Sequence, residues 1–236
     1  MKRLATLVAS AALVTLIPAA ANTAQAGPMR RVRAGVSTNW AGYVAHGGPF
    51  TSASTSWNEP SISCGSKENS SEATFAGIDG SGSSTVEQIG TFAQCRNGSV
   101  THTAFYEMFP RAAAGIAKPV RAGDSMTASV VTSASTKAFT LTLVNHTAGW
   151  TFTTQQRNKR AKLASAEAIT EAPTIRSRGV QTLANFGTEN YFGTTANGQP
   201  ISNFSPEAVS MVGSGGVKAS PTALSGGSFS VIWQHG

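Results

Sequence analysis

Short segments in which apolar and polar residues alternate recur along the chain, separated by clusters of glycine, serine, asparagine and proline. Residues 139–144 show this pattern most clearly, because Phe139, Leu141 and Leu143 would share one face of a strand. No segment beyond residue 26 sustains the period of an amphipathic helix. The clearest predicted strands are residues 40–44, 73–78, 86–92, 102–109, 125–131, 139–145, 150–155, 165–169, 180–185 and 229–233. This series predicts an all-β fold of antiparallel strands, a two-sheet sandwich or jelly roll.

Residues 1–26 have the features of a secretory signal peptide. Two basic residues precede an apolar stretch over residues 4–17, and Ala24 and Ala26 form the small-x-small pattern that signal peptidase recognises. A membrane anchor is the alternative, but the apolar stretch is shorter than the roughly 20 residues that span a bilayer. We therefore predict cleavage after Ala26, secretion to the extracellular space and no membrane association of the mature chain.

The remaining chain is expected to form one domain. Residues 27–36 are a short basic segment that we predict to lie outside the core, as a mobile end or as a segment that is processed further. Neither a linker nor an internal repeat divides residues 37–236, which are expected to form the β-sandwich. Within them, the Gly- and Ser-rich residues 212–227 predict a long surface loop. Since no long unpaired hydrophobic strand indicates an interface, we expect a monomer.

The charge balance argues against nucleic acid as a partner. Eighteen Lys and Arg residues against eleven Asp and Glu give a formal charge of +7. The basic residues cluster only at 30–33 and 157–162, without the interleaved aromatic residues that stack on bases. With few carboxylates, protonation in acid can break few native ion pairs, so the composition suits an acidic environment.

The two cysteines are predicted to form a disulfide. Cys64 and Cys95 are an even pair in a chain with an export signal, and closing this loop would stabilise the fold by about 3 to 4 kcal/mol. The chain has neither Cys-x-x-Cys nor His-Glu-x-x-His, and its four histidines are scattered. We therefore expect no metal site and no cofactor.

Motifs of other hydrolases are weak or absent. No Gly-x-Ser-x-Gly elbow marks a serine nucleophile, and Asp79 and Asp124 lack the matching contexts of an aspartic-protease dyad. Glycoside hydrolysis needs two carboxylates about 5 to 9 Å apart. Glu167 and Glu171 on one strand would be roughly 13 Å apart, so they cannot be that pair. A pair from different strands, such as Glu107 with Glu167, stays open.

Five sequence blocks follow one another along the chain. In chain order they are Thr38-Asn39-Trp40-Ala41-Gly42-Tyr43-Val44, Phe75-Ala76-Gly77-Ile78-Asp79-Gly80, Thr85-Val86-Glu87-Gln88-Ile89-Gly90, Phe105-Tyr106-Glu107-Met108-Phe109-Pro110, and Ala164-Ser165-Ala166-Glu167 followed by Glu171. Together they resemble one family, the glutamic endopeptidases, also called eqolisins. The resemblance extends from about residue 38 to the C terminus, and the short loop after Asp79, which lacks a cysteine, is similar to bacterial members. The resemblance implies a concanavalin-like β-sandwich with a substrate cleft and acid-active cleavage of peptide bonds in protein or peptide substrates.

The resemblance implies a catalytic pair, Gln88 and Glu167. An ionised Glu167 can accept a proton from water and later return it to the leaving amine. The Gln88 amide both accepts and donates hydrogen bonds, so it can hold the water and stabilise the oxyanion. Glu87 would point to the opposite face of the strand. The resemblance further implies a supporting, substrate-binding set, Trp40, Phe75, Asp79, Phe105, Glu107 and Phe109.

Two positions depart from the family pattern. Phe75 and Ala168 stand where the family generally has tryptophan. Smaller side chains there predict a reduced cleft wall and altered substrate preference. The weakened wall keeps two alternatives in view, a carbohydrate-binding sandwich without catalysis and a glycoside hydrolase that uses cleft glutamates.

Overall fold

The computed structural model describes residues 24–175 and 179–236, so most of the predicted signal peptide lies outside the described residues. In these ranges the regular elements are strands and one 3₁₀ turn. In chain order they are β1 (Ala24–Gln25), β2 (Arg31–Arg33), β3 (Val36–Ser37), β4 (Trp40–His46), β5 (Ser52–Asn58), β6 (Asn69–Asp79), β7 (Val86–Arg96), β8 (Ser99–Phe109), β9 (Ala114–Ile116), β10 (Ser125–Thr132), β11 (Ala138–Asn145), β12 (Trp150–Arg157), β13 (Ser165–Glu171), β14 (Thr174–Ile175), β15 (Gly179–Val180), β16 (Thr188–Ala196), β17 (Gln199–Pro200), the 3₁₀ turn (Ile201–Phe204), β18 (Glu207–Gly213), β19 (Gly216–Pro221) and β20 (Phe229–Trp233).

Two antiparallel sheets form the body of the fold. The site sheet has the order β9-β8-β7-β6-β13-β4-β18. The backing sheet has the order β12-β11-β10-β5-β16-β20-β19. Strand β18 also pairs with β19, so it joins the two sheets along one edge. The predicted all-β, two-sheet antiparallel sandwich is thereby confirmed.

The main core lies between the two sheets. Phe139, Leu141 and Leu143 of β11 are at most 1% exposed, as their alternation with threonine predicts. They pack in one large cluster with residues of the site sheet such as Ile78 and Ile89. Burying each large apolar side chain contributes about 1.5 to 3 kcal/mol, so this cluster holds the sheets together.

The site sheet is also buried on its outer face, the face turned away from the backing sheet. A second, smaller cluster covers it, formed by side chains of the site sheet together with Ala26. Its buried members are Ala26, Trp40, Val44, Ala73, Phe75, Phe105, Ile169 and Val209. All residues of β6 after Asn69 are therefore buried, and polar side chains on the outer face lie in a water-poor environment.

Some predicted elements are wrong. The strand predicted over residues 180–185 is reduced to β15 at its start and to isolated bridges at Leu183 and Asn185. The loop predicted over residues 212–227 contains strand β19, which pairs with β18 and β20. The Gly- and Ser-rich composition of this region predicts a loop, but backbone pairing with two neighbours stabilises a strand.

Strand β5 is absent from the prediction because it consists mostly of Ser and Thr. It occupies the centre of the backing sheet between β10 and β16. Its inward residues Ala53, Thr55 and Trp57 are at most 2% exposed, so a single large side chain supplies most of its apolar contact. Weak local propensity is overridden here by pairing on both sides.

The predicted disulfide between Cys64 and Cys95 is confirmed, with a Cα–Cα distance of 5.3 Å. It ties the end of β7 to the segment that precedes β6 and closes a loop with a sequence separation of 31. Replacing both cysteines by serine is expected to lower the free energy of unfolding by about 3 to 4 kcal/mol, because the unfolded chain regains the entropy of an open loop. Urea denaturation at constant pH measures this loss, and a change below about 1 kcal/mol would show that the loop is not closed in the native protein.

Candidate functional site

Gln88 and Glu167 lie on the outer face of the site sheet, on either side of Gly77. In the strand register, Gly77 of β6 is opposite Gln88 of β7 and opposite Glu167 of β13. Two strand spacings place the Cα atoms of Gln88 and Glu167 about 9 to 10 Å apart. A Cβ atom at Gly77 would lie 2.8 Å from Glu167 Oε1 and 3.4 Å from Gln88 Cβ. The glycine therefore keeps open the space between the two side chains.

The amide of Gln88 is oriented by Glu107 of the neighbouring strand. Gln88 Nε2 donates a hydrogen bond of 2.9 Å to Glu107 Oε2, and the two residues are direct cross-strand partners. Both side chains are fully buried. Gln88 Oε1 has no hydrogen-bond partner among the residues that the structure describes. The amide thus retains an acceptor oxygen without a partner, and it has a second N–H to donate.

The carboxyl group of Glu167 is buried without partners. Glu167 is 1% exposed, and within residues 24–175 and 179–236 neither of its oxygens has a hydrogen-bond partner. Burial raises the pKa of Glu167 well above its ordinary value, the nearby Ser165 hydroxyl lowers it, and Asp79 and Glu87 raise it again. A carboxyl group with two free oxygens beside an amide with one free oxygen can hold a small polar molecule between them.

Asp79 positions the chain that leads into β13. Its carboxylate accepts hydrogen bonds from the backbone N–H groups of Lys162 (2.8 Å), Leu163 (3.0 Å) and Ala164 (2.8 Å). These residues directly precede the strand that carries Glu167. Asp79 has a φ of 71°, a left-handed conformation that aspartate tolerates. Its contacts support a positioning role, and substrate binding by Asp79 stays a prediction.

The predicted aromatic residues form part of the outer face. Trp40 and Phe75 are fully buried and pack edge to face at 5.6 Å between ring centroids. Phe105 packs edge to face on Phe92 at 6.5 Å, whereas Phe109 at the end of β8 is half-buried. Their contact with a substrate is untested and stays a prediction.

The prediction that Ala168 reduces the wall of the cleft is wrong. Side chains alternate along β13, so Glu167 and Ile169 point to the outer face and Ala168 points to the other. Ala168 accordingly belongs to the cluster between the sheets. A small residue there affects the packing of the sheets and leaves the outer face unchanged.

Sequence reasoning gave no role at the site to Glu171 and Asn39, although both stand in the sequence blocks. Glu171 is fully buried on the same side of β13 as Glu167, and it accepts hydrogen bonds from Asn39 Nδ2 (3.0 Å) and from the backbone N–H of Gly27 (3.0 and 3.3 Å). The four-residue spacing from Glu167, considered only for a glycosidase pair, places both carboxyl groups on one face. The contact with Gly27 carries no sequence signal, because it joins positions 144 residues apart.

The start of the basic N-terminal segment does not lie outside the core. Ala26 and Gly27 are buried on the outer face, and Trp40 Nε1 donates a hydrogen bond of 3.0 Å to the Gly27 carbonyl. Only the arginine-rich part around residues 30–33 is exposed. The expectation from polarity fails because backbone groups of residues 27–30 form hydrogen bonds with the side chains of Asn39, Trp40 and Glu171.

The described residues contain no group of three or more His, Cys, Asp or Glu side chains arranged to hold a metal ion. They also contain no helix with the length and apolar character needed to cross a membrane.

Comparisons with known proteins agree on one family. The model of the peptidase A4 family matches residues 38–233. Scytalido-glutamic peptidase, solved with a peptide-based transition-state analogue, superimposes with a TM-score of 0.71 at 22% identity, over 84% of this chain and 98% of that one. SCP-B, an eqolisin solved with the tripeptide Ala-Ile-His, gives 0.66 at 23% identity over 84% and 98%. Aspergilloglutamic peptidase from Aspergillus niger gives 0.61 at 22% identity over 70% and 99%. No curated protein sequence matches significantly.

Proposed function

The chain belongs to the peptidase A4 family and is a glutamic-type endopeptidase, and we propose that Gln88 and Glu167 are the dyad that activates its water. The observation that carries this proposal is the arrangement around Gly77. There, a Cβ atom would lie 2.8 Å from Oε1 of the buried Glu167 carboxyl group and 3.4 Å from Cβ of Gln88, whose buried amide oxygen has no hydrogen-bond partner in the described structure. A water held there would contact both a proton acceptor and an oxyanion donor.

In the proposed reaction Glu167 acts first as a base and then as an acid. Glu167 accepts a proton from the water while the water oxygen forms a bond to the peptide carbonyl carbon. The second N–H of Gln88 donates a hydrogen bond to the developing oxyanion, while Glu107 keeps the amide in place. The C–N bond then breaks, and Glu167 returns its proton to the leaving amine. The carboxylate is regenerated without a covalent intermediate.

The raised pKa of Glu167 fits this role once water is bound. Burial disfavours the ionised form, but a water that donates hydrogen bonds to the two free oxygens favours it. The two effects oppose each other and bring the pKa toward the operating pH, where a general base is most effective. Glu107 remains protonated in acid, because burial raises its pKa to about 8, with the Gln88 hydrogen bond lowering it.

We further propose peptide or protein substrates, secretion after removal of residues 1–26, and a monomeric enzyme. Substrate class is supported by the solved relatives, one described with a peptide-based analogue and one with a tripeptide. Secretion is supported by the basic, apolar and small-x-small pattern of the leader. Activity is expected to persist in the presence of chelators and pepstatin.

Hydrolysis of an unbiased peptide mixture tests the proposal. The purified protein is incubated with the mixture from acidic to neutral pH, and new termini are identified by mass spectrometry. Acid-dependent cleavage that survives a chelator is the expected result. Binding on a glycan array without peptide cleavage by the folded protein would instead favour the carbohydrate-binding alternative, and release of sugars from glycans would favour the glycosidase alternative.

Gly77→Ala is expected to lower kcat/KM roughly 100-fold while the fold persists, because displacing a catalytic group by about 1 Å has effects of this size. The added methyl group would lie 2.8 Å from Glu167 Oε1 and would push the carboxyl group out of place. Gly115→Ala on edge strand β9 is the matched control, because a Cβ atom there meets nothing within 4 Å. Equal activities of the two variants in a peptide assay would mean that the space beside Gly77 is not the reaction site.

A further inference from the structure

The backbone nitrogen of Gly27 lies at a buried carboxyl group that has no cationic partner in the described structure. Gly27 N is 3.0 Å from Glu171 Oε1 and 3.3 Å from Oε2, so it approaches both oxygens. Glu171 is fully buried, and the other donors beside it are neutral, the Asn39 amide at 3.0 Å and the Trp40 indole. Burial raises the pKa of Glu171, and the one ionisable group that acts on it in the described structure, the acidic Glu107, raises it further. A positive charge at Gly27 N would give the buried carboxylate of Glu171 the cationic partner that it lacks.

Residue 27 is also held firmly at this position. Trp40 Nε1 donates to the Gly27 carbonyl at 3.0 Å, and Asn39 Nδ2 donates to the Pro28 carbonyl at 3.3 Å. Met29 N donates to the Gly80 carbonyl at 3.0 Å. Removal of the preceding residues would therefore leave the nitrogen of Gly27 where it is, because the contacts that place it lie on its C-terminal side.

The far end of the N-terminal segment, residues 27–36, is anchored separately. Glu207 of β18 accepts hydrogen bonds from the backbone N–H of Gly35 at 2.6 Å and from the guanidinium of Arg31 at 3.0 and 2.5 Å. His46 Nε2 lies 3.0 Å from the same carboxylate. The segment is thus fixed to the site sheet at both ends, by Glu171 and Trp40 of the interior strands β13 and β4 at its start and by the edge strand β18 at its far end.

We propose that cleavage after Ala26 converts the nitrogen of Gly27 into an α-ammonium group that forms a buried ion pair with Glu171. The mature amino terminus then belongs to the outer face that carries Gln88 and Glu167, and it neutralises a second buried glutamate on that face. The inference rests on the proposed cleavage site and not on peptidase activity.

The geometry also fixes the order of events. Ala26 is 2% exposed in the folded chain, so the bond between Ala26 and Gly27 is protected once the outer face has closed. Cleavage must therefore precede closure, as it does during export of an unfolded chain. Strand β1, which pairs with β14, is lost with the leader.

The first test is direct measurement of the amino terminus. The full chain is exported from a bacterial host, its terminus is identified by mass spectrometry, and the Gly27 amine is titrated by NMR with ¹³C-labelled glycine. We expect a terminus at Gly27 and an amine pKa above the ordinary value of about 8, which returns toward that value in Glu171→Gln. Glu207→Gln, which touches the segment but not the amine, should leave it unchanged. A different terminus, or a pKa insensitive to Glu171, overturns the proposal.

The second test separates the ion pair from an ordinary backbone hydrogen bond. A variant with one alanine inserted after Ala26 moves the free amine away while keeping an N–H at Gly27. The substitution Glu171→Gln is then made both in the chain that begins at Gly27 and in the chain with the inserted alanine, and the Tm of each protein is measured at about pH 6. The expected result is a lower Tm on Glu171→Gln only where Gly27 is the terminus, because an uncompensated ammonium is left buried. An equal shift in both backgrounds overturns the ion pair. Both tests read out without peptide cleavage, so failure of the proposed reaction would not affect them.

Discussion

Glu167→Gln is expected to lower kcat by about 10²- to 10⁴-fold, the range that a positioned acid–base group contributes. The substituted amide is nearly isosteric, but it can neither accept the proton of the water nor return one to the leaving amine. KM should change little, because the Glu167 side chain has no proposed role in substrate binding. The measurement is steady-state cleavage of one defined peptide, taken from the mixture experiment, at the pH of maximal wild-type activity.

The stability of the same variant supplies its control. Burial raises the pKa of Glu167, so ionisation of this group opposes folding once the pH exceeds the ordinary value of 4.5. Glutamine carries no such cost, and Glu167→Gln should match the wild type in acid and exceed its stability near pH 7. An inactive variant that is also less stable in acid would point to misfolding, and a variant with wild-type kcat would remove Glu167 from the mechanism.

Stability of the wild-type protein is expected to fall between about pH 5 and pH 7, at roughly 1.4 kcal/mol per pH unit for each carboxyl group that folding keeps protonated, which is about 5 to 6 kcal/mol for Glu87 and Glu107 together. Burial raises the pKa of Glu87 and of Glu107 to about 8. It also raises the pKa of three further glutamates for which no cationic partner is proposed, Glu72, Glu167 and Glu189. Such a concentration of buried acids makes the fold best suited to acidic solution.

The free energy of unfolding falls with rising pH because the unfolded chain ionises before the folded chain does. Below the ordinary pKa of 4.5, these groups are protonated in both the folded and the unfolded chain, and their full contribution to stability is present. Between 4.5 and the raised values, only the unfolded chain ionises, so the free energy of unfolding decreases with rising pH. Urea denaturation at pH 4, 5.5 and 7 measures the slope. A free energy of unfolding that increases over this range would contradict the assignment.

Two of these groups lie in the core between the sheets and offer a variant that leaves the outer face alone. They are Glu72 and Glu189: burial raises the pKa of Glu72, and the charge of Glu189 raises it further. Glu189 accepts hydrogen bonds from the hydroxyls of Thr74 and, at 2.6 Å, Thr170. Glu189→Gln should therefore flatten the pH dependence of stability and leave the site around Gly77 intact.

Alternation of apolar and polar residues predicted a strand well where every second side chain is buried in the core. Strand β11 has its apolar residues in the core as its sequence indicates. Strands β5 and β19 were not predictable in this way, since serine, threonine and glycine carry little local preference and both strands depend on pairing with distant segments.

The candidate pair was accessible from the sequence only through the resemblance to a family. A lone glutamine on a strand has no chemical signature, and its meaning depends on Gly77 and Glu107 from neighbouring strands. The role of Glu171 and of residue 27 was not accessible at all, because the charge and composition of residues 27–36 predict an exposed tail. Their contact arises from packing on the outer face.

The central claim is that Gln88 and Glu167 act together on one water, and a double-mutant cycle tests it most directly. Values of kcat/KM are measured for Gln88→Ala, Glu167→Gln and the double variant, each shown to be folded by circular dichroism. Residues that act as a unit give strongly non-additive losses. The account therefore expects the double variant to be about as slow as the slower single variant. A loss equal to the product of the two single losses, or wild-type activity in either single variant, would contradict it.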